Sequence, residues 1–215
     1  EMGDRFVERG YAFYAVDLRK YGRSYRKGQR MFEVRNFKEY FADLDSAFSI
    51  IAGSGIDDVI LVGHSTGGLV TSYYMALTHN PMVRCLILNS PFLDWNLSKF
   101  NENIGVPIVS TIGSIFPDFK IKQPGGTAYS ESLLKGEHGE WSYDTSLKLR
   151  KSPDVTAGWI NAVNNAQCNL NAMVMPIGLP VLVMHSARSV DGSEWNEEHN
   201  RADGVLDVND IARRG

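Results

Sequence analysis

The sequence lacks most of the features that would carry several common functions. It holds two cysteines in 215 residues, Cys85 and Cys168, with no Cys-x-x-Cys and no Cys/His spacing suited to a metal. That argues against a disulfide scaffold or a structural zinc. Cys85, inside Arg84-Cys-Leu-Ile-Leu-Asn89, is expected as a packed thiol on a buried strand. Free thiols fit a reducing compartment, so the expected location is cytoplasmic. There is no basic surplus: 22 Lys and Arg stand against 25 Asp and Glu, a formal net charge of −3. Nucleic acid is therefore not an expected partner. The richest basic run, 19–30, is mixed with turn residues and tyrosines and reads as a solvated loop. No apolar run approaches the length of a membrane span, so no transmembrane segment is expected. The opening Glu-Met-Gly-Asp-Arg-Phe lacks the pattern of a signal peptide.

What remains is an ordinary globular composition, 43% apolar and 22% charged, long enough for one α/β domain with a sizeable core. Residues 1–10 read as a helix end stopped by Gly10, and Tyr11–Asp17 as an aromatic, β-branched strand. Asn36 is placed to cap a helix over about 37–52, where Phe37, Tyr40, Phe41, Leu44, Ala47, Phe48 and Ile51 recur at helical spacing. The short apolar run Val59–Gly63 suits the buried centre of a parallel sheet. A helix over about 68–78 and a strand over 85–88 follow. This order predicts a mostly parallel sheet with helices on both faces.

The alternation stops at Ser90-Pro91. The next 80 or so residues are rich in Gly, Pro, Asn and Ser, yet carry Trp95, Phe100, Phe116, Phe119, Trp141 and Trp159. A long loop inside a domain needs a purpose, and this aromatic content is not that of a disordered tract. It is expected to be an inserted, mainly helical cap. The division is core 1–91, cap 92–175 and core 176–215, with a last cap helix opened by Ser152-Pro153-Asp154. Pro180–Met184 resumes the sheet, and Asp207 is placed to cap a final helix.

The chemistry concentrates in Gly63-His64-Ser65-Thr66-Gly67-Gly68, between an apolar strand and a helix. A serine hydroxyl needs a base to become a nucleophile. A sharp strand-to-helix turn would lift Ser65 above the carboxyl end of the sheet, and small residues at Gly63 and Gly67 would let the backbones pass. The helix start would turn its free N–H groups and positive end to the site, making Thr66 N–H an oxyanion donor.

With these residues the sequence resembles the monoacylglycerol lipase and lysophospholipase-like branch of the α/β-hydrolases, the serine aminopeptidase S33 type. The resemblance spans nearly the whole chain. It rests on Asp17-Leu-Arg-Lys-Tyr-Gly22-Arg-Ser24, on the Ser65 segment, and on Pro180-Val-Leu-Val-Met-His-Ser186 with Ala202-Asp-Gly-Val-Leu-Asp-Val208. The family pattern has a glycine where Lys20 stands. The resemblance implies an α/β-hydrolase fold and a Ser–Asp–His triad in that chain order. It implies no metal or cofactor, and a small ester or acyl molecule as substrate. Of Asp191, Asp203 and Asp207, the family's Asp-x-Val/Leu-x-Asp pattern selects Asp203 as the acid that orients the histidine.

The histidine is the missing part. His64 is expected to point away from the site, His79 to lie at a helix end, His138 in a cap loop and His185 in the core. His199 shares a loop with Asp203 and is a remote substitute. The family takes its histidine from a loop after one further strand, and its second oxyanion donor from a His-Gly-type loop before Tyr11. The expectation is therefore a chain cut at both ends, inactive by itself, with open sheet edges. Two functional classes stand: a carboxylic-ester hydrolase, with peptidase or thioesterase chemistry open to the same triad, and a non-catalytic binding domain on the same fold.

Overall fold

The computed structural model describes residues 2–97, 101–122, 126–173, 177–190 and 194–215, apart from the side chain of Glu102. Phe100 of the expected cap aromatics and the candidate acid Asp191 lie outside these residues. In chain order the elements are α1 (Met2–Val7), α2 (Phe41–Gly53), β1 (Val59–His64), α3 (Thr66–Thr78), β2 (Val83–Asn89), α4 (Val106–Ile115), β3 (Lys120–Ile121), α5 (Ala128–Leu133), β4 (Val155–Thr156), α6 (Ala157–Asn171), β5 (Val181–Met184) and α7 (Val208–Arg214).

The core is a parallel sheet in the order β1-β2-β5. Its register puts Leu61 beside Leu86 and Gly63 beside Leu88 on one face, with Val183 in line. That face packs on α3 and α7. The space beyond the Gly63 α-carbon is filled by Thr71 and Gly68 of α3, and Val183 meets the end of α7 at Gly215. The opposite face presents Ile60, Val62, Ile87, Leu182 and Met184. Ile60, Val62, Leu182 and Met184 are exposed on it.

Two sequence expectations change here. Val59–Gly63 forms a strand as expected, but at an edge of the described sheet rather than its buried centre. Tyr11–Asp17 pairs with no described strand, and Tyr11, Phe13, Tyr14 and Val16 are exposed. Strand propensity reports a side-chain set that fits a pleated surface; it supplies no partner ladder. The segment instead rests on α1, where Phe6 stacks on Phe13 and meets Tyr11 edge-on.

The helices form for local reasons. Asn36 Oδ1 accepts from Lys38 N (3.0 Å) while Glu39 Oε1 accepts from Asn36 N (3.0 Å), a reciprocal capping box. One 3-10 turn, Phe37–Tyr40, then leads into α2. Phe37, Tyr40, Leu44, Phe48 and Ile51 form its buried stripe. α3 is buried from Gly68 to Ala76 and ends at His79 in the left-handed region, φ 46. Before α2, the polar loop holds Lys20 at φ 65, the conformation a glycine takes freely. Lys20 Nζ donates to Glu33 O, and Phe32 N donates to Lys20 O (3.0 Å), so the loop keeps its turn with a lysine in the glycine's place.

Between β2 and β5 lies the inserted helical region. α4 packs along α6, and the short antiparallel ribbon β3–β4 pairs Lys120 with Thr156 and Ile121 with Val155. α6 starts later than the Pro153-Asp154 signal suggested. Thr156 Oγ1 accepts from Trp159 N (3.1 Å) and is the cap, because Val155 and Thr156 are still held in the ribbon. Trp159, Ile160, Val163, Ala166 and Leu170 of α6 join Leu69, Tyr73 and Tyr74 of α3 in one apolar cluster. Cap and core therefore share a core. Phe116, Phe119 and Trp141 stay exposed.

Candidate active site

Ser65 ends β1 and opens α3 with φ 52 and ψ −121. A non-glycine residue held there costs about 1–3 kcal/mol and persists only where its surroundings over-determine it. They do. Ser65 N donates to Asn89 O (3.1 Å), and Ser65 O accepts from Gly68 N (2.9 Å), Leu69 N (3.3 Å) and Phe92 N (3.0 Å). The turn is packed from behind. A β-carbon on Gly63 would sit 2.7 Å from Gly67 O and 2.8 Å from Gly68 Cα. One on Gly68 would sit 2.7 Å from Pro91 Cβ, whereas one on Gly67 would meet nothing within 4 Å. The steric demand expected at Gly63 and Gly67 thus falls on Gly63 and Gly68, because Pro91 presses on α3 one residue further along.

The Ser65 and Thr66 side chains are half-buried. Thr66 N–H belongs to the first turn of α3, where amides have no intrahelical acceptor and the helix dipole is positive. This end of the sheet also gathers the loops that follow the strands. Ser90 N donates to Met184 O (2.7 Å), joining the ends of β2 and β5.

Asp203 is tied to the loop that leaves β5. Its N–H donates to Arg188 O (3.0 Å), and its O accepts from Val190 N (2.9 Å). Its carboxylate Oδ1 accepts from Val205 N (2.9 Å) and Leu206 N (2.8 Å), which fixes the side chain over its own turn. Asn96 Nδ2 donates to Val205 O (2.9 Å), so the loop after β2 holds both the Asp203 turn and, through Phe92, Ser65. Asp207 caps α7 by accepting from Asn209 N (2.9 Å). Arg213 and Arg214 of α7 both donate to Asp94, whose side chain is nearly buried in the same loop. Asn96 and Asp94 carry no motif, and only their place just after the Ser90-Pro91 break could have drawn attention to them.

No histidine nitrogen hydrogen-bonds Ser65 or Asp203 among the described residues. His64 Nδ1 donates to Asn89 O (2.9 Å), along the sheet end. His79 caps α3. His138 stacks on Trp195, ring centroids 3.5 Å apart. His185, expected in the core, is exposed and donates from Nδ1 to Ser186 O (2.7 Å), because β5 is an edge strand. His199 is buried, its Nδ1 accepting from Asn196 N (3.2 Å) and its Nε2 unpartnered against Gly204. On the cap side, burial and the neighbouring Asp203 charge push the Tyr129 phenol above its ordinary pKa. Tyr129 of α5 had no sequence signal beyond being aromatic. Among the described residues no cluster of His, Cys, Asp and Glu could hold a metal, and no helix is long and apolar enough to cross a membrane.

The profile of the serine aminopeptidase S33 family matches residues 1–190. The chain belongs to that family. A probable lysophospholipase L2 of Haemophilus influenzae is 24% identical over 200 residues, 87% of this chain and 62% of its own length. A non-heme haloperoxidase of Rhodococcus erythropolis is 40% identical over 70 residues, 33% of this chain and 23% of its own. The S33-family chain thus spans about three-fifths or less of the curated relatives it matches. Among solved structures, the monoacylglycerol lipase of Paleococcus ferrophilus superposes with TM-score 0.62 at 19% identity, covering 93% of this chain and 71% of that one. A soluble variant of Saccharomyces cerevisiae monoglyceride lipase gives 0.56 at 17%, covering 79% and 57%. These similarities establish the α/β-hydrolase fold of the S33 chain.

Proposed function

We propose that the protein is a serine hydrolase of carboxylic esters with Ser65 as nucleophile. The observation that carries this reading is the strained Ser65 backbone at the β1–α3 junction, φ 52 and ψ −121, at the carboxyl end of a parallel sheet. A turn that strains a serine at the start of a helix has a use in acyl transfer. Ser65 Oγ attacks the acyl carbon as its proton passes to a histidine, and Thr66 N–H holds the resulting oxyanion. The alcohol leaves with that proton, and water then releases the acid from the acyl-serine. Asp203 orients the imidazole and stabilises its charged form. In this reading the histidine and a second oxyanion donor lie outside residues 1–215. The ester class is supported by the names of the lysophospholipase and monoglyceride lipase relatives. The core–cap division at 92–175 belongs to the same reading, with the cap over the carboxyl end of the sheet.

One observation favours a second reading, a binding domain without turnover: no described histidine reaches Ser65 or Asp203. A fluorophosphonate probe separates the two. In a version of the protein carrying its triad histidine, one probe per chain on Ser65, abolished by Ser65→Ala, supports the hydrolase. No labelling there overturns it. Residues 1–215 alone should label at least about a thousandfold more slowly, the order of loss when a triad member is removed.

A further inference from the structure

The loop that holds Ser65 is itself held from the cap. Gln167 of α6 is 3% exposed, and its Nε2 donates to Phe92 O (3.0 Å). The N–H of that same Phe92 donates to Ser65 O (3.0 Å). The neighbouring Pro91 is fully buried and presses on Gly68 at the head of α3. Phe92 O is an acceptor, so the amide nitrogen of Gln167 must face it, and the Gln167 oxygen is left buried without a partner. A glutamine on the apolar stripe of an amphipathic helix, with one polar atom unsatisfied, costs stability that an aliphatic side chain would not. Its one hydrogen bond is spent on the residue that fixes the elbow.

We propose that Gln167 is a positioning residue: it links the cap to the nucleophile by clamping Phe92, so that the strained Ser65 conformation depends on α6 being seated. The idea rests on Ser65 as the nucleophile. Polarisation along the relay adds to the geometry. Gln167 engages the Phe92–Leu93 peptide, whose Leu93 N–H donates to Pro91 O (2.9 Å), and the Pro91–Phe92 peptide carries the N–H that donates to Ser65 O. Displacing α6 would break the first link and loosen the second, which couples the state of the cap to the reactivity of the site without any contact between Gln167 and substrate.

The test compares Gln167→Met, which keeps the volume and removes the donor, with Gln167→Glu. Two readouts are taken on each: amide hydrogen exchange at Phe92, and the rate of fluorophosphonate labelling of Ser65. Thermal melting is followed in parallel. For Gln167→Met we expect Phe92 exchange at least tenfold faster, with the amides of α3 beyond Leu69 unchanged. We expect labelling about tenfold slower at saturating probe, with the probe concentration for half-maximal rate unchanged. Gln167→Glu can donate to Phe92 O only when protonated, so its labelling and Phe92 protection should recover toward wild type as pH falls, a pH dependence the Met variant lacks. Unchanged Phe92 protection in both variants overturns the proposal, as does equal loss in both at every pH. Absence of labelling in the wild type with its histidine present counts against the nucleophile itself, and the exchange measurement still decides the clamp.

Discussion

The two faces of the central sheet were built from equally apolar residues and have opposite fates. On the α3 side, Leu86 is 0% exposed and Leu88 3%, beneath a helix buried along most of its length. On the other side Ile60 is 38% exposed and Leu182 52%. Alternation along each strand makes both faces hydrophobic, as the strands of a parallel sheet with two covers should be. Only one cover is present among the described residues. The candidate site follows the covered face. The elbow, the Phe92 clamp and the α6 cluster all hang from α3, so Ser65 draws most of its support from the packed side.

The largest effect should separate the faces directly. Leu86→Ala should cost about 3 kcal/mol, the range for a buried leucine that leaves a cavity. Leu182→Ala should cost under about 1 kcal/mol, because half the side chain already meets water. Paired chemical denaturation of the two variants measures the difference. Equal losses would break the comparison, meaning that something covers the Leu182 face in solution. Replacing Ile60 or Leu182 by threonine should then also lower stability; with a bare face it should raise solubility instead.

The same contrast explains what could be read from the sequence. The elbow was legible because its constraints are local: an apolar run, a glycine, a serine and a helix start within ten residues. The cap that opens α2 was legible for the same reason, through Asn36. The edge position of β1 and the unpaired state of Tyr11–Asp17 were not, because pairing is a property of neighbours distant in the chain. His185 was misplaced into the core by the same inference, from a strand assumed to be covered. Asn96, Phe92 and Gln167 were invisible for a different reason. Their roles run through backbone groups, and a carbonyl or amide leaves no mark in side-chain chemistry. Thr156 as the α6 cap was masked by the stronger-looking Pro153-Asp154 signal upstream.

A middle-sized effect tests the packed side at the elbow. Gly68→Ala should cost about 2 kcal/mol or more, since its β-carbon would overlap Pro91, and overpacking costs of this order are usual. Gly67→Ala should be neutral or stabilise by up to about 1 kcal/mol, because nothing stands near its β-carbon and alanine favours a helix. Melting curves of the two variants decide it. Equal destabilisation would mean that α3 approaches β1 through Gly67 as the motif spacing suggested, and would move the contact back by one residue.

The smallest effect lies at the rim of the covered side, where Leu18, Tyr21 and Phe32 pack on the core cluster around Lys20. Lys20 holds φ 65, which costs an L-residue about 1–2 kcal/mol. Glycine there would relieve that strain. It would also gain unfolded-chain entropy worth about 0.4–1 kcal/mol, which favours the unfolded state. The bond from Lys20 Nζ to Glu33 O, about 1 kcal/mol at most for a partly exposed pair, would go as well. These contributions nearly cancel, so Lys20→Gly should change stability by no more than about 0.5 kcal/mol. Lys20→Val should lose about 2 kcal/mol, because a β-branched residue tolerates the left-handed region worst. If Lys20→Gly stabilised the protein by more than about 1 kcal/mol, the lysine bond would be worth nothing, and the strain at this loop would be uncompensated. If Lys20→Val were as stable as wild type, the loop would not hold the left-handed turn at all, and the family's glycine pattern at this position would have been lost in conformation as well as in sequence.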